Sequence, residues 1–305
     1  MHILLPIAGR SVFLFTPFGL GGLVGLLSGM FGVGGGFLMT PLLMMVGIPP
    51  TVAAATDSCQ IAAAAASGSY AHARMGNVDY KLGGLMLVGG VVGGAIGVQI
   101  IRVLRGMGNA DFVIMVTYVV VLSLIGGYMF RESLGALRGT RRTSVRTQRR
   151  SRTGAFLGAL PLVVSFPKSG IRHSVFVPIF LCMLVGILAA IMGVGGGFIM
   201  IPAMVYLLRM PMHVAVGTDL FQILFTSTGV TFMQAAVNHT VDVVLAIALA
   251  LGSAVGAQVG ARIARRLRGE QLRIILACIV LLVAVKMAYG LVATPTLLLS
   301  PAGGH

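Results

Sequence analysis

The chain has 305 residues, of which 57% are hydrophobic and only 10% are charged. Soluble globular domains carry about a quarter charged residues, so this composition excludes one. The net charge of +15 would fit nucleic-acid binding, but the basic residues lie in the links between apolar segments, where positive charge keeps a loop in the cytoplasm. We therefore predict an all-α, multi-pass protein of the bacterial inner membrane that binds no nucleic acid.

Ten apolar segments follow one another along the chain. Their apolar runs are continuous rather than alternating, which predicts membrane helices and not a barrel. The second and seventh segments have only about 14 residues and follow glycine clusters, so each is either a broken helix or a re-entrant hairpin. The predicted segments cover residues 12–31, 34–47, 52–72, 82–101 and 111–130, then 175–194, 196–208, 214–237, 241–261 and 272–292.

The two sets of five segments are copies of one unit. GLLSGMFGVGGGFLMTP at residues 25–41 and GILAAIMGVGGGFIMIP at residues 186–202 are identical at 10 of 17 positions. TDSCQ at 56–60 then matches TDLFQ at 218–222, and GAIGVQ at 94–99 resembles GSAVGAQ at 252–258. We predict a first transmembrane repeat at 1–130, a basic cytoplasmic linker at 131–174 and a second repeat at 175–305. An odd number of crossings in each repeat makes the halves inverted, as in many secondary transporters.

The linker sets the predicted orientation. Residues 131–172 carry ten basic residues and one acid, which places them in the cytoplasm and is expected to attract anionic lipids. Arg74, Lys81 and Arg209 then fall on the same side, whereas Arg102 and Arg105 depart from the rule.

Two carboxylates, Asp57 and Asp219, lie inside apolar segments at matching repeat positions. An ionised carboxylate there costs about 2.5 to 3.5 kcal/mol on insertion scales. Gln60 and Gln222 follow three residues later, so an acid and an amide share one helix face that points into the bundle. This stripe predicts a substrate or proton site; the alternative is that it only satisfies backbone groups freed at the broken helices.

The glycine clusters predict where an anion binds. Irregular backbone at membrane depth is tolerated only around a protein-lined cavity. Glycine lets backbone N–H groups converge, and the helix that follows directs its positive dipole end to the same place. We therefore predict a small-anion site formed by Gly34, Gly35, Gly36, Gly195, Gly196 and Gly197.

A further glycine series indicates close helix packing. Glycines recur every four residues at 89, 93 and 97 and again at 252, 256 and 260. Such small-residue faces let helices approach closely, and they permit a homodimer without requiring one.

The two GVGGG cores, each with a proline five residues after its last glycine and each followed by a TD and Q helix, resemble the TauE/SafE family of sulfite exporter-like membrane proteins. The resemblance implies a secondary transporter that exports a sulfur-containing anion, sulfite or an organosulfonate, by alternating access. It places the substrate between the two glycine clusters, flanked by Thr56, Gln60, Thr218 and Gln222. A protonated Asp57 or Asp219 would then couple transport to protons.

Other functions stay open at this point: a carrier of another inorganic anion, a cation carrier that uses Asp57 and Asp219, and a non-transporting membrane scaffold. An enzyme is not expected, because neither a nucleophile with its base nor a metal triad occurs at membrane depth. We expect no cofactor and no metal. Cys59, Cys182 and Cys278 are expected to act as small hydrophobes.

Overall fold

The computed structural model describes residues 2–5, 10–13, 15–31, 35–137, 163–166, 168–208, 210–264 and 269–293. Each predicted segment overlaps one helix. A π-helical turn, Gln234–Asn238, extends the eighth helix. The helices are α1 Phe15–Phe31, α2 Gly36–Met45, α3 Pro50–Arg74, α4 Tyr80–Gly106, α5 Ala110–Leu137, α6 Phe176–Met192, α7 Gly197–Tyr206, α8 Met212–Met233, α9 Val243–Ala264 and α10 Gly269–Ala293.

The helices are those of a membrane protein. Within the described ranges, four stretches are long and apolar enough to cross a bilayer: Tyr80–Gly106, Ala110–Tyr128, Val214–Asn238 and Val243–Gly260. Helix α3 has 25 residues, but its polar stripe makes it less apolar. Helices α2 and α7 have 10 residues each, which is about 15 Å of helix and half of a bilayer core.

Each half begins with a short antiparallel hairpin that the sequence analysis did not predict. Strands β1 His2–Leu5 and β2 Arg10–Phe13 precede α1, and β3 Val163–Phe166 and β4 Ile171–Ser174 precede α6. The second hairpin lies inside the predicted linker, and residues 131–137 of that linker continue α5. Lipid attraction was predicted for residues 131–172, and most of their basic side chains lie in residues 138–162, which are outside the described residues.

The chain reverses direction between α1 and α2. Gly35 has a left-handed φ of 75° and lies against the side chains of Val24 and Ser28. In a continuous helix, residues seven and eleven positions apart would be roughly 10 and 16 Å from each other. Helix α2 therefore folds back, and Gly36 lies on Ile61 of α3.

The second half repeats this reversal. Gly196, with φ of 83°, lies against Val185 and Ala189 of α6, so α7 folds back in the same way. The tips of the two helical hairpins meet inside the protein. There the equivalent residues Phe37 and Phe198 stack with ring centroids 4.5 Å apart and an interplanar angle of 11°.

Equivalent helices α3 and α8 pack against each other and run in opposite directions. Gly68 of α3 faces Leu220, and Gly217 near the start of α8 faces His72 and Asn77 near the end of α3. We call the end of the bundle where α3 ends and α4 begins the Asp79 face. The opposite end, where α3 begins and α9 begins, is the Asp242 face.

The halves also exchange helices, because α1 packs along α9 of the other half and α4 packs along α6. Glycines make both contacts: Gly93 faces the Met183 carbonyl oxygen, and Gly256 faces the Gly22 carbonyl oxygen. This packing confirms the close approach predicted from the glycine series. Gly93 and Gly256 therefore hold equivalent positions in the two repeats. The alignment of GAIGVQ with GSAVGAQ had matched Gly97 with Gly256 instead, so it was wrong by four residues.

Candidate functional site

A narrow cleft lies at the tip of the α6–α7 hairpin. Its volume is about 10 Å³, which is roughly the room that one water molecule needs. One wall is α6, with Cys182 and Val185, and the tip itself contributes Gly195 and Gly196. The remaining walls come from α8, which contributes Gln222, Thr226 and Ser227, and from α3, which contributes Ser58.

The polar side chains of the cleft are neutral and mostly tied to their own helices. Ser58 Oγ donates to the Ala54 carbonyl oxygen at 3.1 Å, and Thr226 Oγ1 donates to the Gln222 carbonyl oxygen at 2.6 Å. Gln222 Nε2 donates to Thr226 Oγ1 at 2.5 Å. Ser227 is 3% exposed, and among the described residues its hydroxyl has no hydrogen-bond partner. This hydroxyl lines the cleft and can donate a hydrogen bond to a small molecule there.

The backbone of the tip adds further donors. Helix α7 starts after Gly196 with no side-chain cap. Its first backbone bonds run from Ile199 and Met200 to the Gly196 carbonyl oxygen at 3.0 and 2.9 Å, so the N–H groups of Gly197 and Phe198 lack intrahelical partners. Such an end attracts an anion. Gly195 and Gly196 have φ of 72° and 83°, values that glycine adopts without strain.

Asp57 lies in a buried polar cluster at the other hairpin. Its Oδ2 accepts a hydrogen bond from Thr40 Oγ1 at 2.9 Å, whereas its buried Oδ1 has no partner. The Tyr118 hydroxyl, near both side chains, donates to the Met192 carbonyl oxygen at 2.6 Å. Tyr118 therefore lies near the carboxyl of one half and bonds the residue that precedes the glycine tip of the other.

Asp219 has no such support. It is 1% exposed, and neither carboxyl oxygen has a hydrogen-bond partner among the described residues. Its position in the repeat is that of Asp57, but the residue equivalent to Thr40 is Ile201. A buried carboxylate without partners is costly, so this side chain favours the neutral form or a ligand.

Thr56 and Thr218 tie the halves together instead of lining the cleft. Thr218 Oγ1 accepts from the backbone N–H of Asp79 at 3.0 Å, and Thr56 Oγ1 accepts from that of Asp242 at 3.1 Å. Each threonine therefore holds the start of a helix in the other half. Both bonds are buried.

The predicted site residues thus separate into groups. Gly195, Gly196 and Gln222 meet in the cleft, and Gly197 follows in the chain as the first residue of α7. Gln60 instead donates to the Ser253 hydroxyl on α9. Gly35 and Gly36 form the opposite tip, and Gly34 lies outside the described residues.

Three polar positions of the cleft are apolar in the other repeat. Positions equivalent to Ser58, Thr226 and Ser227 are Leu220, Ala64 and Ala65. The first tip has different hydroxyls, those of Ser28 beside Gly35 and of Ser253, which accepts from Gln60.

Sequence reasoning missed Ser58, Cys182 and Ser227 as cleft residues. Ser58 and Ser227 adjoin Asp57 and Thr226 in sequence, and that adjacency was the available signal. It is a weak one, because serines inside helices commonly bond their own helix backbone.

Comparisons with known proteins agree with this architecture. The family model described as "Sulfite exporter TauE/SafE" matches residues 18–287. The chain is 26% identical over 230 residues to the "Probable membrane transporter protein YunE" of Bacillus subtilis, covering 73% of this chain and 76% of that protein. It is 26% identical over 212 residues to a "Probable membrane transporter protein" of Xylella fastidiosa, covering 69% of each.

A shorter match is closer in sequence. The Arabidopsis thaliana "Sulfite exporter TauE/SafE family protein 6" is 44% identical over 63 residues, which cover 21% of this chain and 13% of that protein. No solved structure matches the chain.

Proposed function

The chain belongs to the TauE/SafE sulfite exporter family of membrane transporters, and we propose that it exports a small sulfur-containing anion, sulfite or an organosulfonate, across the bacterial inner membrane. Because its family is one of transporters, the protein is a transporter and not an enzyme. The words "sulfite exporter" in the names of the family model and of a relative support this substrate class.

The cleft at the α6–α7 tip carries the proposal. It lies beside the uncapped start of α7, and it is lined by the hydroxyl of Ser227 and the amide of Gln222. Converging neutral donors in a mostly buried space suit a small oxyanion, which presents several acceptor oxygens. Transport follows if this cleft opens to each side of the membrane in turn.

The arrangement of the halves supports alternating access. In our proposal, α3, α4 and α5 cross the membrane, α1 and α2 form a re-entrant hairpin, and the second half repeats this order. The crossings number three per half instead of the five counted from the sequence, but the number stays odd and the repeats stay inverted. The hairpin tips meet where equivalent helices α3 and α8 pack, which suits rocking of one half against the other.

Asp57 and Asp219 are the proposed proton-coupling residues. Both are buried at the level of the hairpin tips, and each has at least one carboxyl oxygen without a partner among the described residues. A carboxyl in such surroundings can take up and release a proton as the halves move.

The test is flux in liposomes that contain the purified protein. We expect saturable efflux of sulfite or methanesulfonate, reduced at least about tenfold by Ser227→Ala because a donor to the substrate is lost. Thr228→Ala is the matched control, since it removes the neighbouring hydroxyl, which is exposed and bonds only the Leu224 carbonyl oxygen of its own helix. Equal flux in both variants would show that the cleft is not needed for transport. If the folded protein carried no sulfur anion at all, the proposed function would be refuted.

A further inference from the structure

None of the described residues that line the cleft has a positively charged side chain. Its polar lining consists of the hydroxyls of Ser58, Thr226 and Ser227, the amide of Gln222 and the thiol of Cys182. All of these are neutral donors. A substrate oxyanion would therefore be bound by hydrogen bonds and the α7 dipole alone, without an ion pair.

Among the described residues, no lysine or arginine is buried near the cleft. Every lysine and arginine side chain that the structure describes is exposed. These side chains are Arg74, Lys81, Arg102, Arg105, Arg131, Lys168 and Lys286.

The charges that can form near the cleft are negative. Asp57 precedes the cleft residue Ser58, and Asp219 lies three positions before Gln222, and both are buried. Cys182, which lines the cleft, is close enough to Asp219 to interact with it electrostatically. Tyr118 faces Asp57 from α5.

The charge of the ligand decides whether such a site can hold it. The cost of removing an ion from water rises with the square of its charge, so a dianion loses about four times the hydration free energy of a monoanion of the same size. Neutral donors and one helix end supply roughly half a positive charge. That compensates a single negative charge far better than two.

We infer that the cleft selects singly charged oxyanions, namely hydrogensulfite and organosulfonates, and rejects dianions such as sulfite and sulfate. This inference rests on the proposed function, since it concerns the same cleft. It means that sulfite is carried together with one proton, as hydrogensulfite, which has the same single negative charge as an organosulfonate. The protein then needs no cation in the cleft.

The experiment compares ligands of similar size and different charge. Methanesulfonate and sulfate would be titrated against the purified wild-type protein at one pH and one ionic strength, with binding read from heat or thermal stabilisation. We expect methanesulfonate to bind at least about tenfold more tightly than sulfate. Equal or tighter binding of sulfate would overturn the inference and leave the proposed function in place.

A pH series separates the ligand's proton from those of the protein. The apparent Kd for total sulfite should rise about tenfold per pH unit above the second pKa of sulfurous acid, following the loss of hydrogensulfite. Methanesulfonate is a monoanion throughout, so its Kd reports any titration of Asp57, Asp219, Cys182 or Tyr118. Sulfite binding that changes with pH only as methanesulfonate binding does would overturn the inference; failure of every anion to bind would instead overturn the proposed function.

Discussion

The carboxyl of Asp57 can be neutralised with little change in shape. In Asp57→Asn, the amide oxygen can still accept the hydrogen bond from Thr40, which measures 2.9 Å in the wild-type protein. We expect the variant to bind methanesulfonate with an affinity within about threefold of the wild type, because Asp57 does not line the cleft. Its flux should no longer depend on an imposed pH gradient, because the side chain can no longer exchange a proton.

Thr40→Val is the companion variant for this test. It removes the hydroxyl but keeps the carboxyl, so its flux should still follow the gradient. Gradient-dependent flux in Asp57→Asn would exclude Asp57 as the coupling residue and direct attention to Asp219.

Thr218 tests the link between the halves. In Thr218→Val, the buried N–H of Asp79 loses its acceptor, and an unsatisfied buried donor costs about 1 to 3 kcal/mol. We expect a lower melting temperature in detergent, and a similar loss for Thr56→Val, which removes the equivalent bond to Asp242. Thr228→Val changes an exposed residue of the same helix and should leave the melting temperature nearly unchanged. A stable Thr218→Val protein with impaired substrate binding would instead place Thr218 in the site.

These threonines show how far sequence could lead at the level of single residues. The matching TD and Q positions correctly predicted buried polar side chains on α3 and α8. Sequence could not tell a substrate contact from a contact between halves, because the partners of Thr56 and Thr218 are 186 and 139 residues away. Gln60 and Gln222 share a motif, yet Ser253 occupies the position equivalent to Gly90, so only Gln60 finds a hydroxyl across the helix contact.

At the scale of elements, the contact between α4 and α6 depends on glycine. A Cβ atom at position 93 would overlap the Met183 carbonyl oxygen, so Gly93→Ala must push the two helices apart. We expect a loss of about 1 to 3 kcal/mol in stability, measured by thermal unfolding in detergent. Gly84→Ala is the control on the same helix: nothing lies within 4 Å of its added Cβ, and alanine favours helix by up to about 1 kcal/mol. Equal melting temperatures for the two variants would show that the helices do not pack this closely.

The helices were predictable because each is an apolar run, and the structure places most of their ends within five residues of the predicted ones, although α5 continues seven residues further. The two β-hairpins could not be predicted, because four-residue strands bury too little apolar surface to leave a pattern in the sequence. A weak signal existed: Pro6 and Gly9 recur as Pro167 and Gly170, 161 residues later, the spacing that also relates the glycine clusters. The reversal at each cluster depends on left-handed glycines and on contacts with the preceding helix, and sequence left it undecided.

At the scale of the whole molecule, each half completes the other. Helix α1 packs on α9 and α6 packs on α4, so neither half has its full set of neighbours alone. The β3–β4 hairpin adds a contact at the Asp79 face, where Ser169 Oγ donates to Asp79 Oδ2 at 2.6 Å. This exchange makes the two hairpin tips meet, and the cleft lined by Ser58, Thr226 and Ser227 lies at the α6–α7 tip.

The distribution of contacts between the two faces explains an exception to the charge rule. Arg74 and Lys168 lie at the Asp79 face, as predicted for a cytoplasmic side. Arg105 lies at the opposite face, where its guanidinium donates to the Asn238 carbonyl oxygen at the end of α8. A basic side chain at a helix C-terminus can bond a free backbone carbonyl. This contact gives a structural reason for Arg105 to lie on the side where the charge rule predicts few basic residues.

We therefore expect the Asp79 face and the Asp242 face to lie on opposite sides of the membrane. In a background in which Cys59, Cys182 and Cys278 are replaced by alanine, we would introduce Met75→Cys at the Asp79 face and Asn109→Cys at the Asp242 face, both at exposed positions. A membrane-impermeant maleimide should label Asn109→Cys in intact spheroplasts and Met75→Cys only after permeabilisation, because the basic residues at the Asp79 face retain it in the cytoplasm. Labelling of both from one side would contradict three crossings per half, since α4 alone must then begin and end on the same side. The reverse labelling pattern would preserve the inverted architecture and show that the count of basic residues does not set its direction.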